Sequence, residues 1–247
     1  MSTSQPVPVQ SAHGSAATLF ADSWSIYVRI LEHNYMFHRE IYRNIKDYLE
    51  VYFGERTFSV LDLGCGNAQY FAGALAGLPV TGYTGYDLSA AALDEAARNL
   101  AALAVPIALK QGDLLDALQQ ESETFDLIFT SFAVHHLLAE QKAEFFRRAA
   151  SRCSAEGILV MIDVMRDEEQ DRDTYLDAYA NLMAASWTAL PIEALAQIES
   201  HVRGNDQPES RLRLKQMAAA AGFGEAIDLP EYSVHRTLVW PAPGSRG

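Results

Sequence analysis

The feature that most constrains this chain is an apolar segment that runs into two closely spaced glycines, residues 60–70, VLDLGCGNAQY. The apolar part has the pattern of a strand buried in a parallel sheet. Gly64 and Gly66 allow a tight turn and a close approach of the backbone to a ligand, which a Cβ would obstruct. The residues that follow predict a helix, whose first backbone N–H groups face the crevice beyond the strand. Together they predict half of a nucleotide-binding βαβ unit.

The residues after the turn indicate which kind of nucleotide-containing ligand the unit could bind. A dinucleotide fingerprint requires a glycine three residues after Gly66, where Gln69 is too large for close helix–strand packing. No P-loop lysine follows, which disfavours a phosphate cradle. A pair of glycines alone is also typical of an ordinary tight turn. The carboxylates add specificity: Asp87 closes the next apolar segment, at about the 20-residue spacing of a ribose-binding acid, and Asp113 closes the third.

Four segments taken in order resemble the motifs of the class I S-adenosylmethionine-dependent methyltransferases: LDLGCGNAQ, YTGYDLS, KQGDLLD and FDLIFTSFAVHHL. The resemblance runs from about Val60 to Asp163, and residues 220–240 resemble the helix end and two strands that close the family's fold. Ala68 departs from the pattern, because many members have a third glycine there. Alanine is small, so we expect the cofactor to fit. The resemblance implies methyl transfer from S-adenosylmethionine, with S-adenosylhomocysteine as the product.

The resemblance also implies a cofactor site. By analogy with the family, Asp62, Gly64 and Gly66 hold the methionine part, Asp87 binds both ribose hydroxyls, and Asp113 accepts a hydrogen bond from the adenine amine. Such a ligand has no phosphate and carries a sulfonium cation, which acidic surroundings tolerate. The full set of expected cofactor-binding residues is Asp62, Gly64, Cys65, Gly66, Asp87, Leu88, Asp113, Leu114, Ser131 and Phe132.

Two adjacent histidines are the candidates for catalysis. Methyl transfer from a sulfonium is an in-line displacement, so alignment matters most and a base is needed only when the acceptor must lose a proton. His135 and His136 follow the fourth predicted strand, and histidine titrates near neutrality. Of two neighbours we expect one at most to face the pocket, and position favours His135. The alternative is that the histidine only caps or packs against the next helix.

The segment after the fourth strand also bears on the acceptor. Methyltransferases of exocyclic amines in nucleic acids or of glutamine usually carry an Asn- or Asp-Pro-Pro-Tyr type motif there. This chain has SFAVHHL, which is similar to the small-molecule branch. Side chains expected to line an apolar pocket, or to hold an amine by cation–π contact, are Tyr35, His38, Tyr175, Tyr179 and Trp187. The sequence does not distinguish O-, N- and C-methylation.

The charge balance bears on the partners. With 19 Lys and Arg against 32 Asp and Glu, the formal net charge is −13, which a phosphate backbone repels. We therefore expect a small-molecule acceptor and neither nucleic acid nor membrane as partner, with a homodimer left open. The alternatives are a protein or tRNA methyltransferase and a non-catalytic cofactor-binding regulator. An NAD-dependent oxidoreductase is disfavoured by Gln69 and by Asp113.

The two cysteines indicate whether to expect a metal site, and the N-terminal residues indicate the cellular compartment. Cys65 and Cys153 fit no metal spacing and no disulfide framework, so we expect no metal site. The first ten residues lack the pattern of a signal peptide, and no apolar run approaches 18 residues. We therefore expect a cytoplasmic protein.

Alternation of strand and helix patterns predicts an α/β fold, a Rossmann-like doubly wound sheet with helices on both faces. The resemblance implies seven strands, the last of them antiparallel. An aromatic-rich helical segment precedes the first strand, with a possible break near His33 and Asn34; it is expected either as a lid or as packing on the sheet edge. A short polar connection is expected near residues 116–123. The expected units are a disordered tail (1–17), an N-terminal helical lid (18–54), a SAM-binding core (55–165), a helical substrate insertion (166–208), completion of the core (209–241) and a tail (242–247).

Overall fold

The computed structural model describes residues 24–244, without the side chains of Trp24, Ser25 and Tyr27. The expected disordered tail at residues 1–17 lies outside the described residues. The helices are α1 (Trp24–Glu32), α2 (His38–Phe53), α3 (Gln69–Leu75), α4 (Ala90–Leu100), α5 (Leu114–Gln120), α6 (Ala139–Arg152), α7 (Arg172–Ser186), α8 (Ile192–Asn205) and α9 (Arg211–Ala220). The strands are β1 (Phe58–Leu63), β2 (Val80–Asp87), β3 (Ile107–Gln111), β4 (Phe125–Ser131), β5 (Cys153–Arg166), β6 (Glu209–Ser210), β7 (Ile227–Asp228) and β8 (His235–Pro241).

One mixed sheet organises the described chain. Its strands follow the order β3-β2-β1-β4-β5-β8-β7, and β6 pairs with the end of β5 outside this path. Strands β1 to β5 pair in parallel, whereas β8 runs antiparallel to β5. The expected doubly wound sheet with an antiparallel last strand is therefore confirmed, and β6 is an additional two-residue strand. The strand order reverses between β1 and β4, which places a ligand crevice at their carboxyl ends.

The central strands are buried on both faces, as their continuous apolar runs predict. Leu61 and Ile128 pack in a cluster with α5, α6 and α9, whereas Val60 and Leu127 pack on the opposite face with α2, α3 and α4. All four side chains are fully buried. Burying each such side chain contributes about 1.5–3 kcal/mol, so the sheet is the rigid base on which the loops of the crevice are held.

The polar segment near residues 116–123 is helical over most of its length, because α5 runs through it to Gln120. The side chain of Asp113 caps this helix by accepting a hydrogen bond from Leu115 N at 2.7 Å. Leu114, Ala117 and Leu118 are buried, at the i, i+3, i+4 spacing of one helix face. A cap and one apolar face are enough to form a short helix against the sheet, despite the polar residues around them.

The N-terminal helices and the segment after β5 meet at one end of the sheet. Helix α1 ends at Glu32 and α2 begins at His38, which confirms the expected break. Helix α2 packs on the sheet through a buried face that includes Ile41 and Ile45, while Ile30 of α1 joins a separate cluster with α7 and α8. None of the helices described in residues 24–244 is both long and apolar enough to cross a membrane.

Candidate cofactor and acceptor site

The glycine turn after β1 has the geometry that its sequence predicts. Gly64 and Gly66 have φ angles of +75° and +51°, and a Cβ on Gly64 would lie 2.7 Å from the Cβ of Ala133. Gly64 N and Cys65 N both donate to the carbonyl of Tyr86, at 2.8 and 2.9 Å, which ties the turn to the end of β2. Burial raises the pKa of the Cys65 thiol, as fits a small packing residue better than a nucleophile.

Asp87 links the end of β2 to this turn. One carboxylate oxygen accepts from Gly66 N and the other from Ser89 N, both at 2.8 Å. Burial raises the pKa of Asp87, and these backbone donors act in the opposite direction. The carboxylate of Asp87 therefore lies against the glycine turn. A carboxylate has about four lone-pair sites, so Asp87 keeps capacity to accept bonds from a ligand's hydroxyls.

Asp62 is a buried acid beneath the same turn. Its Oδ2 accepts from the hydroxyl of Tyr83 at 2.5 Å. Its Oδ1 is buried and has no hydrogen-bond partner among the described residues. Burial raises the pKa of Asp62 to about 7, and the Tyr83 hydroxyl opposes the shift. An orphaned carboxylate oxygen at this place fits the cationic amino group of an amino-acid ligand.

The third expected acid lies at the end of β3. Asp113 caps α5 through Oδ1, and the neighbouring Gly112 N donates to the carbonyl of Asp87 at 3.0 Å. Gln111 donates from its side-chain amide to the carbonyl of Leu88 at 2.9 Å. The structure therefore brings the ends of β1, β2 and β3 together, with Asp62, Asp87 and Asp113 at successive strand ends.

The residues after β4 lie beneath α2. The hydroxyl of Tyr42 donates to Ser131 Oγ at 2.9 Å, and Phe132 N donates to the carbonyl of Ile162 at 2.8 Å. Phe132 has a φ of +52°, which is unusual for an aromatic residue. Its ring centroid lies 5.3 Å from that of His38 and 5.7 Å from that of His235. Phe132 is therefore flanked by two imidazoles.

These two histidines are buried and neutral. Burial is the main cause that lowers the pKa of His38 to about 3, and the nearby imidazole of His235 acts in the same direction. Burial also lowers the pKa of His235 to about 4, although the carbonyl of Tyr232 opposes the shift. His38 Nδ1 and His235 Nε2 are buried with no hydrogen-bond partner in the described part of the chain. A buried polar atom of this kind fits a ligand that supplies the missing bond.

From the sequence, His235 is expected only as part of the last predicted strand, with no functional role. Its one distinguishing signal is that it is a histidine among the apolar residues of SVHRTLVW. Nothing in the sequence places the start of β8 beside Phe132. That neighbourhood arises because β8 runs antiparallel to β5, with His235 opposite Val164 near the carboxyl end of β5.

The other expected acceptor residues form a second aromatic group. Tyr35 stacks on Trp187 with ring centroids 5.2 Å apart, and its hydroxyl accepts from Ala189 N at 2.7 Å. Tyr179 lies edge-on to Trp187 and to His235, both at 6.4 Å, and Tyr175 stacks on Tyr179 at 5.8 Å. The N-terminal segment and the insertion are thus in contact, and His235 connects this group to Phe132 and His38.

The histidine pair after β4 faces carboxylates. His135 Nδ1 lies 2.5 Å from Asp163 Oδ1, and its Nε2 lies 3.6 Å from Asp206 Oδ1. Burial alone would lower the pKa of His135, but Asp163 and Asp206 outweigh it and raise the pKa to about 9. Burial lowers the pKa of His136, whose Nδ1 lies 3.3 Å from Asp206 Oδ1. The rings that contact Phe132 are instead those of His38 and His235.

A separate cavity of about 500 Å³ lies between α6, the end of β5 and the start of α7. Lys142, Arg166, Arg172 and Glu209 are among its lining residues. None of the expected cofactor-binding residues lines it, so the cavity does not mark the crevice at the glycine turn.

Comparison with known proteins agrees with this geometry. The sequence profile of a family described as "Methyltransferase domain" matches residues 60–157. No curated protein sequence gives a significant match. Magnesium protoporphyrin IX methyltransferase from Synechocystis PCC 6803, solved with bound S-adenosylhomocysteine, has a similar structure: TM-score 0.64, 15% identity, with 93% of this chain and 99% of that chain covered.

Two larger proteins share the fold as well. An O-methyltransferase family protein from Burkholderia thailandensis has a TM-score of 0.60 at 17% identity, covering 85% of this chain and 59% of that chain. Human N-acetylserotonin methyltransferase, solved in complex with S-adenosylmethionine, has a TM-score of 0.56 at 14% identity, covering 82% and 51%. This chain therefore spans only about half to three fifths of these two proteins, and the likeness at such identities is one of fold.

The profile match covers the glycine turn and both following acids, and the sheet around them has the expected strand order. The orphaned Oδ1 of Asp62 fits the amino group of an amino-acid-bearing nucleoside. Residues 60–157 therefore match a methyltransferase domain, and the sheet around them has the fold of the methyltransferases compared above.

Proposed function

We propose that the protein transfers the methyl group of S-adenosylmethionine to a small molecule that binds against Phe132, between His38 and His235. The observation that carries the proposal is the pair of unpartnered imidazole nitrogens beside this ring, His38 Nδ1 and His235 Nε2. Two buried polar atoms in an aromatic site favour a ligand that hydrogen bonds to both.

The position of this site relative to the cofactor supports the proposal. Phe132 follows β4 and Gly64 follows β1, and these two strands are neighbours in the sheet. A Cβ on Gly64 would meet Ala133, the residue after Phe132, which shows how closely the two loops approach. An acceptor against Phe132 would therefore lie in the same crevice as the cofactor.

We propose the following arrangement for the cofactor. Asp62 Oδ1 accepts a bond from the amino group of the methionine part, and the turn at Gly64 and Gly66 lies against that part. Asp87 binds the ribose hydroxyls and Asp113 the adenine amine. Side chains that complete the cofactor site are Cys65, Leu88, Leu114, Ser131 and Phe132. When bound, the cofactor supplies an electrophilic methyl group on a sulfonium.

The chemistry of the acceptor pocket supports a small, partly aromatic hydroxyl compound. Tyr42 and Tyr70 stack near His38, with Tyr42 at 6.2 Å and Tyr70 at 5.1 Å between ring centroids, so the walls favour a planar or apolar body. A neutral imidazole can donate to or accept from a hydroxyl, and can take the proton that the hydroxyl loses. The resemblance in fold to an O-methyltransferase family protein agrees with an oxygen acceptor.

The covering of the crevice argues for a small acceptor. Helix α2 lies over the end of β4 through the bond from Tyr42 to Ser131, and the group formed by Tyr35, Tyr179 and Trp187 lies beside His235. We propose that these elements act as lid and insertion, which align the acceptor and keep water from the reacting atoms. The net charge of −13 disfavours a nucleic acid at such a surface.

A transfer assay with methyl-labelled cofactor tests this function. The enzyme is incubated with a fractionated metabolite extract and, in parallel, with tRNA, rRNA, DNA and a protein extract. We expect label in a low-mass product that mass spectrometry identifies as a methyl ether. Label confined to a nucleic acid or a protein would overturn the small-molecule proposal.

The histidine assignment is tested separately. His38→Gln and His235→Gln should each lower turnover roughly tenfold or more, while cofactor affinity measured by calorimetry stays unchanged. His33→Gln, at an exposed position of the same N-terminal segment, is the matched control. Full activity in both variants would exclude these rings as acceptor-binding groups and return attention to His135 and His136.

A further inference from the structure

We propose that His135, His136 and Asp206 form a binding site for one divalent transition-metal ion of the zinc class. Each of the three side chains offers one ligand atom, and these atoms all lie within 4.8 Å of one another. Asp206 lies just after α8, far along the chain from the histidine pair, and the fold brings them together.

The separations between these atoms fit ligands better than hydrogen-bond partners. Asp206 Oδ1 lies 3.6 Å from His135 Nε2, which is too long for a hydrogen bond. It lies 3.3 Å from His136 Nδ1, which is longer than the usual 2.7–3.2 Å of an N–H···O bond. Ligands at about 2.0–2.1 Å from a tetrahedral zinc ion lie roughly 3.3–3.4 Å from each other.

The orientation of His135 is fixed in the way that a metal-bound histidine requires. Asp163 Oδ2 accepts a hydrogen bond from His135 N at 2.8 Å, and Asp163 Oδ1 lies 2.5 Å from the ring Nδ1 of His135. Nε2 faces the carboxylate of Asp206 at 3.6 Å and can bind a metal ion there once it has released its proton. A histidine that donates its other ring N–H to a carboxylate while it binds a metal is a recurrent arrangement.

Asp206 is held in place by its own backbone. Its N–H donates to the carbonyl of Val202 at 2.9 Å, and the N–H of Gln207 donates to the carbonyl of His135 at 2.7 Å. Asp206 is only 3% exposed, and Oδ1 has no hydrogen-bond partner within the described chain. A buried carboxylate oxygen without a hydrogen bond is costly, and a bound cation would offset that cost.

The ligand set selects the class of metal. Two imidazole nitrogens with one carboxylate oxygen suit zinc, cobalt or iron(II), whereas magnesium and calcium prefer oxygen ligands throughout. The side chain of His136 is 25% exposed, so an ion has a route in from solvent. Lys142 is a competing cation nearby, but its Nζ donates to the carbonyls of Leu137 and Gln207 rather than to Asp206. Three protein ligands leave a coordination position for water.

Metal titration of the untagged, chelator-treated protein tests the site. Calorimetry with Zn²⁺ and visible absorption with Co²⁺ should show one tightly bound equivalent in a low-symmetry site. His136→Gln and Asp206→Asn should each weaken binding by roughly tenfold or more, and Asp163→Asn, which only orients His135, by about 10–100-fold. The matched controls are His33→Gln and Asp173→Asn, both at exposed positions, and they should bind as the wild type does.

Either of two results would overturn the site: no uptake of either ion by the wild type, or equal affinity in the ligand variants. X-ray absorption of the zinc-loaded wild type covers the case in which a variant does not fold. Two imidazole nitrogens and a carboxylate are expected, and any other protein ligand set refutes the assignment. Cofactor affinity measured on the same samples reports on the methyltransferase site alone, so failure of one proposal is distinguishable from failure of the other.

Discussion

The hydroxyl of Tyr42 donates to Ser131 Oγ at 2.9 Å, which joins α2 to the last residue of β4. Tyr42 belongs to the helical segment before the sheet, whereas Ser131 lies directly before Phe132 at the proposed acceptor site. A segment that only packed on the sheet edge would not need a polar contact at this strand end. The bond therefore supports the proposal that α2 is a lid, which this contact holds next to the residues proposed to bind the acceptor.

Removal of this bond should affect acceptor binding more than folding. Tyr42→Phe keeps the ring, and the loss of one hydrogen bond should cost about 0.5–1.5 kcal/mol of unfolding free energy. We expect the KM for the acceptor to rise several-fold while cofactor affinity stays the same. Tyr48→Phe, in the same helix, is the matched control. Equal KM values in the two variants would show that the contact is structural only.

The carboxylate of Asp87 should carry much of the affinity for S-adenosylmethionine. Asp87→Ala removes the acceptor of Gly66 N and the proposed bonds to the ribose, charge-assisted bonds worth roughly 1.5–3 kcal/mol, or about ten- to a hundredfold in Kd. Calorimetry with the cofactor measures the change. Asp94→Ala, at an exposed position of α4, should bind normally. An unchanged Kd in Asp87→Ala would remove Asp87 from the cofactor site.

Ala68 marks a place where the chain tolerates backbone strain. Its φ is +52°, a left-handed conformation that costs a residue with a Cβ about 1 kcal/mol or more. Ala68→Gly should therefore raise the unfolding free energy by about 0.5–1 kcal/mol. Ala97→Gly, at an exposed position inside α4, should lower it by a similar amount. Urea unfolding of both variants measures whether the unfolding free energy changes in these opposite directions.

The sheet was predictable because short stretches of sequence identify its strands. A buried parallel strand appears as a continuous apolar run, and the first strand of a nucleotide-binding sheet is followed by a glycine turn. The connection near residues 116–123 was not recognised as helical, since α5 depends on a cap from Asp113 and on burial against the sheet. The two residues of β6 exist only because they pair with the end of β5.

The candidate site was predictable only in part, for the same physical reason. Asp87 was named because it closes a strand about 20 residues after the glycine turn, whereas Asp62 was named only through the resemblance to the methyltransferase motifs. His235 and Asp206 carry no such signal, since tertiary contacts alone bring them to Phe132 and to His135. From the sequence we expected no metal site, because the two cysteines fit no metal spacing, and we favoured His135 as a base. In the structure His135 lies between the carboxylates of Asp163 and Asp206.

The neutral state of His38 and His235 predicts how stability depends on pH. Burial lowers the pKa of His38 to about 3 and that of His235 to about 4, against 6.5 in the unfolded chain. Below pH 6.5 the unfolded state therefore binds protons that the folded state does not. The stabilising contribution is present above that pH and is lost as the pH falls toward the folded pKa values. At pH 5 each histidine should cost about 2 kcal/mol.

Urea unfolding between pH 7.5 and pH 5 measures this loss. His38→Gln and His235→Gln should each reduce the fall in unfolding free energy over this range, by up to about 2 kcal/mol, since glutamine does not titrate. His33→Gln, on the exposed turn between α1 and α2, is the control and should leave the fall as large as in the wild type. If the unfolding free energy of all three variants falls with pH as steeply as that of the wild type, burial does not hold His38 and His235 neutral. The proposed contact with the acceptor would then have to involve charged imidazoles.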